Sequence, residues 1–214
     1  MNGYFVTGTG TGVGKTHVTA ALARSFRGAG KQVFAFKPIE TGCENVNGTL
    51  VGADQTILCH AAGDWQAGEL RGVYRFEPPV APFVASPEID FGRIHRAFVS
   101  GARQADVVLV EGAGGWRVPV TPYEDMGALA KLLGLPIIVV ANATLGTINH
   151  SLLTVEAIER DGCVVVGLVL SKLPTDDLAA AQSNVEQIAK RWSGRIVLYT
   201  NDSSQLATFH VETT

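Results

Sequence analysis

Hydrophobic positions along this chain fall into two alternating patterns. Short apolar runs, rich in Val, Ile and Phe, recur at residues 3–7, 32–37, 106–111, 136–142, 164–170 and 195–199. Runs of that length without polar alternation mark strands buried on both faces. Stretches with helical spacing lie between them, at residues 14–27, 54–61, 88–104, 125–133, 147–159 and 176–192. Strands that alternate with helices predict an α/β fold, a mostly parallel sheet with helices on both faces, in a single domain over residues 1–214. Two stretches break the pattern. Residues 44–52 are polar and rich in Gly and Asn, and read as a surface loop before a helix that Asp54 opens at or near its N-cap. Residues 63–87 lose periodicity, and Pro78, Pro79 and Pro82 predict extended, locally rigid backbone there.

Composition narrows the class. Apolar residues make up 46% and charged residues 17%, a globular balance at a length that supports one core without staples. A net charge of −3 argues against a nucleic-acid partner, which calls for a basic excess or stripe. Cys43, Cys59 and Cys163 form no CxxC and read as reduced thiols. The N-terminus enters a strand directly, with no signal pattern, and no apolar run approaches the roughly 18 residues of a membrane span. The expectation is a soluble cytoplasmic protein with no membrane partner.

The chemistry begins where the first strand meets Gly8-Thr9-Gly10-Thr11-Gly12-Val13-Gly14-Lys15-Thr16. Strand, glycine-rich loop, Lys-Thr and helix stand in the order of a phosphate loop, as in the phosphate-loop NTPases. Five residues rather than four separate Gly8 from Gly14. Backbone N–H groups of such a loop form an anion nest, and the helix start adds unpaired donors and a positive dipole end. Gly12, Val13, Gly14, Lys15, Thr16 and His17 are therefore candidate nucleotide contacts, with Lys15 on the outer phosphates and the Thr16 hydroxyl on Mg²⁺.

In doubly wound sheets, ligands collect beyond the carboxyl ends of the strands. That rule gathers Lys37, Glu40 and Thr41 after the second strand, Glu111 and Gly112–Gly115 after the third, and Asn142 after the fourth. Lys37, ending a buried strand, is placed to balance charge on a second, anionic substrate. Glu111 reads as the strand-tip acid that positions Mg²⁺. Asp54 reads either as a helix cap or as a second metal carboxylate; Thr16, Asp54 and Glu111 together make the oxygen set that Mg²⁺ prefers.

Gly8-x5-Gly14-Lys15-Thr16, Lys37-Pro38-Ile39-Glu40-Thr41-Gly42, Asp54, Val110-Glu111-Gly112-Ala113-Gly114-Gly115 and Leu145-Gly146-Thr147-Ile148-Asn149-His150 follow one another at spacings that resemble the dethiobiotin synthetase family. The resemblance spans about residues 3–170. It implies a homodimeric ligase of biotin synthesis, dependent on ATP and Mg²⁺. Such an enzyme closes a ureido ring on 7,8-diaminopelargonate with CO₂, through a carbamate and a carbamic-phosphoric anhydride. It also implies catalytic roles for Lys15, Lys37 and Thr11, and substrate contacts from Thr11, Lys37, Thr41 and Gly114. Pro79–Pro82 would line the aliphatic chain. The substrate would lie between subunits, its carboxylate held by backbone N–H groups of Gly146, Thr147, Ile148 and Asn149 on the other chain.

The chain departs from the family at three places. Gly10 and Gly12 stand where many members carry acidic residues. Ser171-Lys172 follows a strand after which some members read adenine with an asparagine, and residues 200–214 lack a proline-containing loop. ATP is the default nucleotide. Two other readings stay open: a related ATP-dependent amidoligase, and an ATP-switch ATPase of the partitioning type. Amidoligases usually append a glutamine-hydrolysing domain, and switch ATPases carry a second lysine where this chain has Thr9 and Gly10.

Overall fold

A computed structural model describes residues 2–210. The first half runs through β1 (Gly3–Gly8), α1 (Lys15–Gly28), β2 (Val33–Phe36), β3 (Ile39–Thr41), β4 (Glu44–Val46), β5 (Thr49–Val51), α2 (Ala53–Ala61), β6 (Tyr74–Phe76), α3 (Pro82–Ala85) and α4 (Phe91–Ala102). The second half adds β7 (Val107–Gly115), α5 (Met126–Leu133), β8 (Ile137–Asn142), α6 (Thr147–Arg160), β9 (Val165–Ser171), α7 (Leu178–Ala189) and β10 (Ile196–Tyr199).

Six strands form one parallel sheet in the order β10-β9-β8-β1-β7-β2. Alternate residues of each strand feed opposite layers, as a period of two requires. Phe5, Phe34, Phe36, Val108, Val110, Ile137 and Val139 pack under α4, α5, α6 and α7. Tyr4, Val6, Val33, Leu109, Ile138 and Val140 pack under α1 and α2. The central place of β1, between β7 and β8, sets its loop at the point where the connections diverge to either side, the usual ligand crevice of this fold.

Several boundaries differ from the pattern-based expectation. Residues 44–52 are not a loop: β4 and β5 pair antiparallel around a turn in which Asn47 and Gly48 both adopt positive φ. Both strands of that hairpin are largely exposed, so they carry no buried face to read. Within 63–87, β6 pairs in parallel with β3, and Pro82 starts α3 rather than continuing an extended run. The helix expected from 88 starts at Phe91, with Asp90 as N-cap, and α7 starts at Leu178, with Asp177 as N-cap. The strand expected to end at Glu111 continues to Gly115. Its register against β1 jumps from Val6–Glu111 to Gly8–Gly115, so three residues, Gly112 to Gly114, arch past Thr7.

A 3₁₀ segment, Ser203–Phe209, packs as a strap along α1. Leu206 and Phe209 are buried, the Tyr4 hydroxyl donates to the Phe209 carbonyl at 2.7 Å, and His210 stacks on Phe26 at 4.3 Å. Of residues 200–214, noted above as lacking a proline-containing loop, 211–214 lie outside the described residues. Among the described residues, no helix is long and apolar enough to cross a membrane.

Gly101 shows how closely α4 sits on β2. A Cβ there would lie 2.2 Å from Cζ of Phe34, which is fully buried and stacked on Phe36. Alanine would gain about 1 kcal/mol in helix propensity, while overpacking a rigid core costs about 1–3 kcal/mol. Gly101→Val forgoes most of that gain and adds two methyl groups, so a loss of about 2–3 kcal/mol in unfolding free energy is expected in a urea titration.

Candidate functional site

The loop at the tip of β1 takes its shape from two glycines. Gly12 and Gly14 have φ of 74° and 95°, the left-handed region that side chains disfavour. Gly14 is also the N-cap of α1 and provides no side-chain acceptor, so the first-turn N–H groups are left for a ligand. A Cβ on Gly14 would meet Ser171 Oγ at 2.7 Å, whereas nothing lies within 4 Å of one on Gly10. Packing therefore does not force glycine at position 10. Lys15 folds back and donates to the Gly10 carbonyl at 2.8 Å. Burial pushes its pKa down to about 8, opposed by the Glu111 charge and reinforced by Lys37.

Beneath this loop lies a buried ion cluster. Glu111 is completely buried, and its Oε1 accepts from Thr16 Oγ1 at 2.7 Å and from Lys37 Nζ at 2.9 Å. Lys37 also pairs with Asp54 Oδ2. Burial alone would lower the Lys37 ammonium, but the Glu111 and Asp54 carboxylates outweigh it and hold its pKa above the ordinary lysine value. Among the described residues, Glu111 Oε2 is buried without a partner.

That orphan oxygen, the Thr16 hydroxyl and Asp54 suit a small hard cation. The described residues contain no group of three or more His, Cys, Asp or Glu that could hold a metal alone. Two carboxylates and a hydroxyl would leave the remaining positions of an octahedron to water and phosphate oxygens, the usual arrangement for Mg²⁺.

The cluster opens into a cavity of about 760 Å³. It is lined by Thr11, Gly12, Gly14, Lys15, Thr16 and His17 from the β1–α1 loop and the start of α1, and by Lys37, Thr41, Asp54, Glu111 and Gly114. Pro79, Val80, Ala81 and Pro82 close it with an apolar wall. Val13 instead packs its side chain toward the apolar layer beside α1. Gly146, Thr147, Ile148 and Asn149 lie outside this cavity. Gly146 (φ 93°) is the N-cap of α6, so Thr147 is its first residue rather than its cap. Thr147 is buried and its N–H already donates to Thr144 O at 3.2 Å.

Two of the strand-end groups do not reach the cavity. Asn142 is exposed at the tip of β8. Glu40 is buried and turned toward α2, where Oε1 accepts from the Asp54 N–H and Oε2 from the Gln55 N–H, each at 2.8 Å. Asp54 is thus not the cap of α2. Gly52 is the N-cap and offers no side chain, and Glu40 supplies the acceptors from elsewhere in the chain. Burial holds the Glu40 carboxyl above the usual carboxylate range, against the pull of those two donors.

Sequence reasoning missed Arg24 and Ile57, which also line the cavity. Arg24 follows Thr16 and Ala20 at intervals of four, a helix-face signal that was there to use. It also missed the anchor of the 112–118 segment. The Trp116 indole donates to Asp161 Oδ2 at 2.7 Å, and Arg117 donates to Asp161 Oδ1 at 2.9 Å and to Asp125 Oδ2 at 3.1 Å.

A family model described as an AAA domain matches residues 2–200. Among curated proteins, the ATP-dependent dethiobiotin synthetase of Nitrosospira multiformis is 39% identical over 193 residues, covering 88% of this chain and 83% of that protein. The enzymes of the same name from Anaeromyxobacter dehalogenans and Thermodesulfovibrio yellowstonii are 42% and 43% identical. They align over 89% and 79% of this chain, and over 85% and 75% of their own lengths. Among solved structures, the MinD cell division protein of Aquifex aeolicus superposes with a TM-score of 0.59 at 14% identity, covering 98% of this chain and 85% of that one. The cell division protein FtsY of Thermotoga maritima gives 0.56 at 19% identity, with 99% and 69% covered. These two likenesses concern the fold alone. With relatives of one name at about four residues in ten over most of both chains, the protein belongs to the ATP-dependent dethiobiotin synthetase family.

Proposed function

We propose that the whole chain acts as one ligase domain that uses ATP and CO₂ to close the ureido ring of dethiobiotin on 7,8-diaminopelargonate, in biotin biosynthesis. The observation that carries this reading is Lys37, buried and paired with Glu111 and Asp54 at the floor of a cavity walled on one side by the phosphate loop and on the other by Pro79–Pro82. A carbamate and a triphosphate are both anionic, and that floor offers cations to each beside an apolar wall for a carbon chain.

Lys15 and the N–H groups of Gly12 to His17 would hold the phosphates. Mg²⁺, held by Thr16, Asp54 and Glu111, would supply charge neutralisation between the phosphate oxygens. The Lys37 ammonium has three donors, of which Glu111 and Asp54 take two, so the third would be free for the carbamate. Thr11 and Thr41 would hydrogen-bond the diamine or carbamate, and the Gly114 backbone would let it approach closely. The γ-phosphoryl group would pass to the carbamate oxygen, and the second amine would displace phosphate from the anhydride to close the ring. Protein side chains need do little covalent work, because positioning and charge stabilisation dominate phosphoryl transfer.

The site would be completed in a homodimer, with the substrate carboxylate on the Ile148 and Asn149 N–H groups of the other subunit. Exposed Leu145, just before that helix start, and exposed Leu153, further along α6, would fit a partner surface. We assign the protein to the cytoplasm, where the expected reduced state of its cysteines holds.

Incubation with diaminopelargonate, bicarbonate and Mg-ATP is expected to yield dethiobiotin by mass spectrometry. ATP hydrolysis indifferent to the diamine, with no dethiobiotin, would reject the reading. Lys37→Ala is expected to lower turnover by about 10²–10³-fold while calorimetry shows ATP binding retained; equal loss of both would remove Lys37 from the second substrate.

A further inference from the structure

Glu40 is a buried charge that the proposed reaction does not use. It lies outside the cavity, yet it holds the backbone N–H of Asp54, whose carboxylate joins the cluster from a first helical turn with no side-chain cap. The α2 start has only Gly52 as its cap, and Glu40 accepts the N–H groups of Asp54 and Gln55 at 2.8 Å each. Gln55, also buried, returns the connection by donating its side-chain amide to the Lys37 carbonyl at 3.0 Å. The segment carrying Lys37 and the helix turn carrying Asp54 are thereby braced twice, independently of the Lys37–Asp54 ion pair. Gly52 is required for this closeness: a Cβ there would lie 2.3 Å from Glu40 Oε2.

We infer that Glu40 is a positioning residue that fixes the Asp54 carboxylate for a divalent cation bound with the nucleotide. The inference rests on the reading of Asp54 as a metal carboxylate. Its physical basis is that groups behind the ligands of a metal orient them, and their loss typically weakens the metal by about 10–100-fold. Gln at position 40 keeps the shape but can accept only one of the two N–H groups, because its amide nitrogen donates. Whichever N–H it loses, the first turn of α2 would keep one anchor in place of two, and the Asp54 carboxylate would be held less firmly in line.

The test is Mg²⁺ titration by calorimetry into the full chain saturated with ADP, beside ADP titration in EDTA. For Glu40→Gln, Mg²⁺ affinity is expected to fall by about 10–100-fold, with metal-free ADP affinity unchanged. Gly52→Ala keeps the negative charge but displaces the Glu40 carboxylate, and the same pattern is expected. Mg²⁺ affinity unmoved in Glu40→Gln, with only a lower melting temperature, would reduce Glu40 to a helix cap and overturn the inference. Parallel loss of Mg²⁺ and metal-free ADP affinity would overturn it as well, since the effect would not be confined to Asp54. A normal Mg²⁺ effect with no dethiobiotin from the unmodified protein would fault the proposed reaction and leave this inference standing.

Discussion

The buried ammonium of Lys37 constrains the rest of the structure. A charge taken from water is tolerated only beside opposite charge, and here each partner comes from a different part of the fold: Glu111 from β7 and Asp54 from α2. Thr16, on α1, is tied to the same Glu111 oxygen. Four segments of the chain, after β2 and in α1, α2 and β7, must therefore meet at one point for the whole cluster to form. The remaining buried Glu111 oxygen is still without a partner among the described residues, which leaves the cluster complete in geometry but open in chemistry.

Much of this was legible in the sequence because the informative signals are local. The phosphate loop is one continuous stretch, and Lys37 and Glu111 each end or interrupt an apolar run whose meaning does not depend on distant residues. The failures have a common physical cause. The β4–β5 hairpin has neither face buried, so no hydrophobic alternation records it. The extension of β7 past Glu111 depends on register with β1, and glycines there carry no side-chain pattern. The capping of α2 by Glu40 joins residues fourteen and fifteen positions apart, beyond the reach of a local capping rule. Asp54 looked like the cap because it is an acid in the first turn; the actual acceptor is invisible until the chain folds.

The segment from Gly112 to Val118 joins the cavity to the ends of α5 and α6. On one side it pairs with Gly8 and offers Ala113, Gly114 and Val118 to the cavity. On the other, Trp116 and Arg117 grip Asp161 at the C-cap of α6, and Arg117 also reaches Asp125, the N-cap of α5. Two helix ends thus hold a glycine-rich stretch whose own backbone has little stiffness. The same economy appears at the chain's end, where the 3₁₀ strap is secured by Leu206 and Phe209.

The central place of β1 also has a temporal side. Its neighbours are β7 and β8, so during synthesis β1 meets its first sheet partner only once Gly115 has been made, and its second only past Asn142. Such long-range pairing delays assembly relative to chains whose first elements meet at once. The loop at the tip of β1 is complete as sequence well before β7 and β8, yet it has no walls to hold it. A nascent chain would therefore carry the whole glycine-rich motif without being able to grip a nucleotide until β7 and β8 are made, and apolar β1 would lack its full sheet contacts for the same interval.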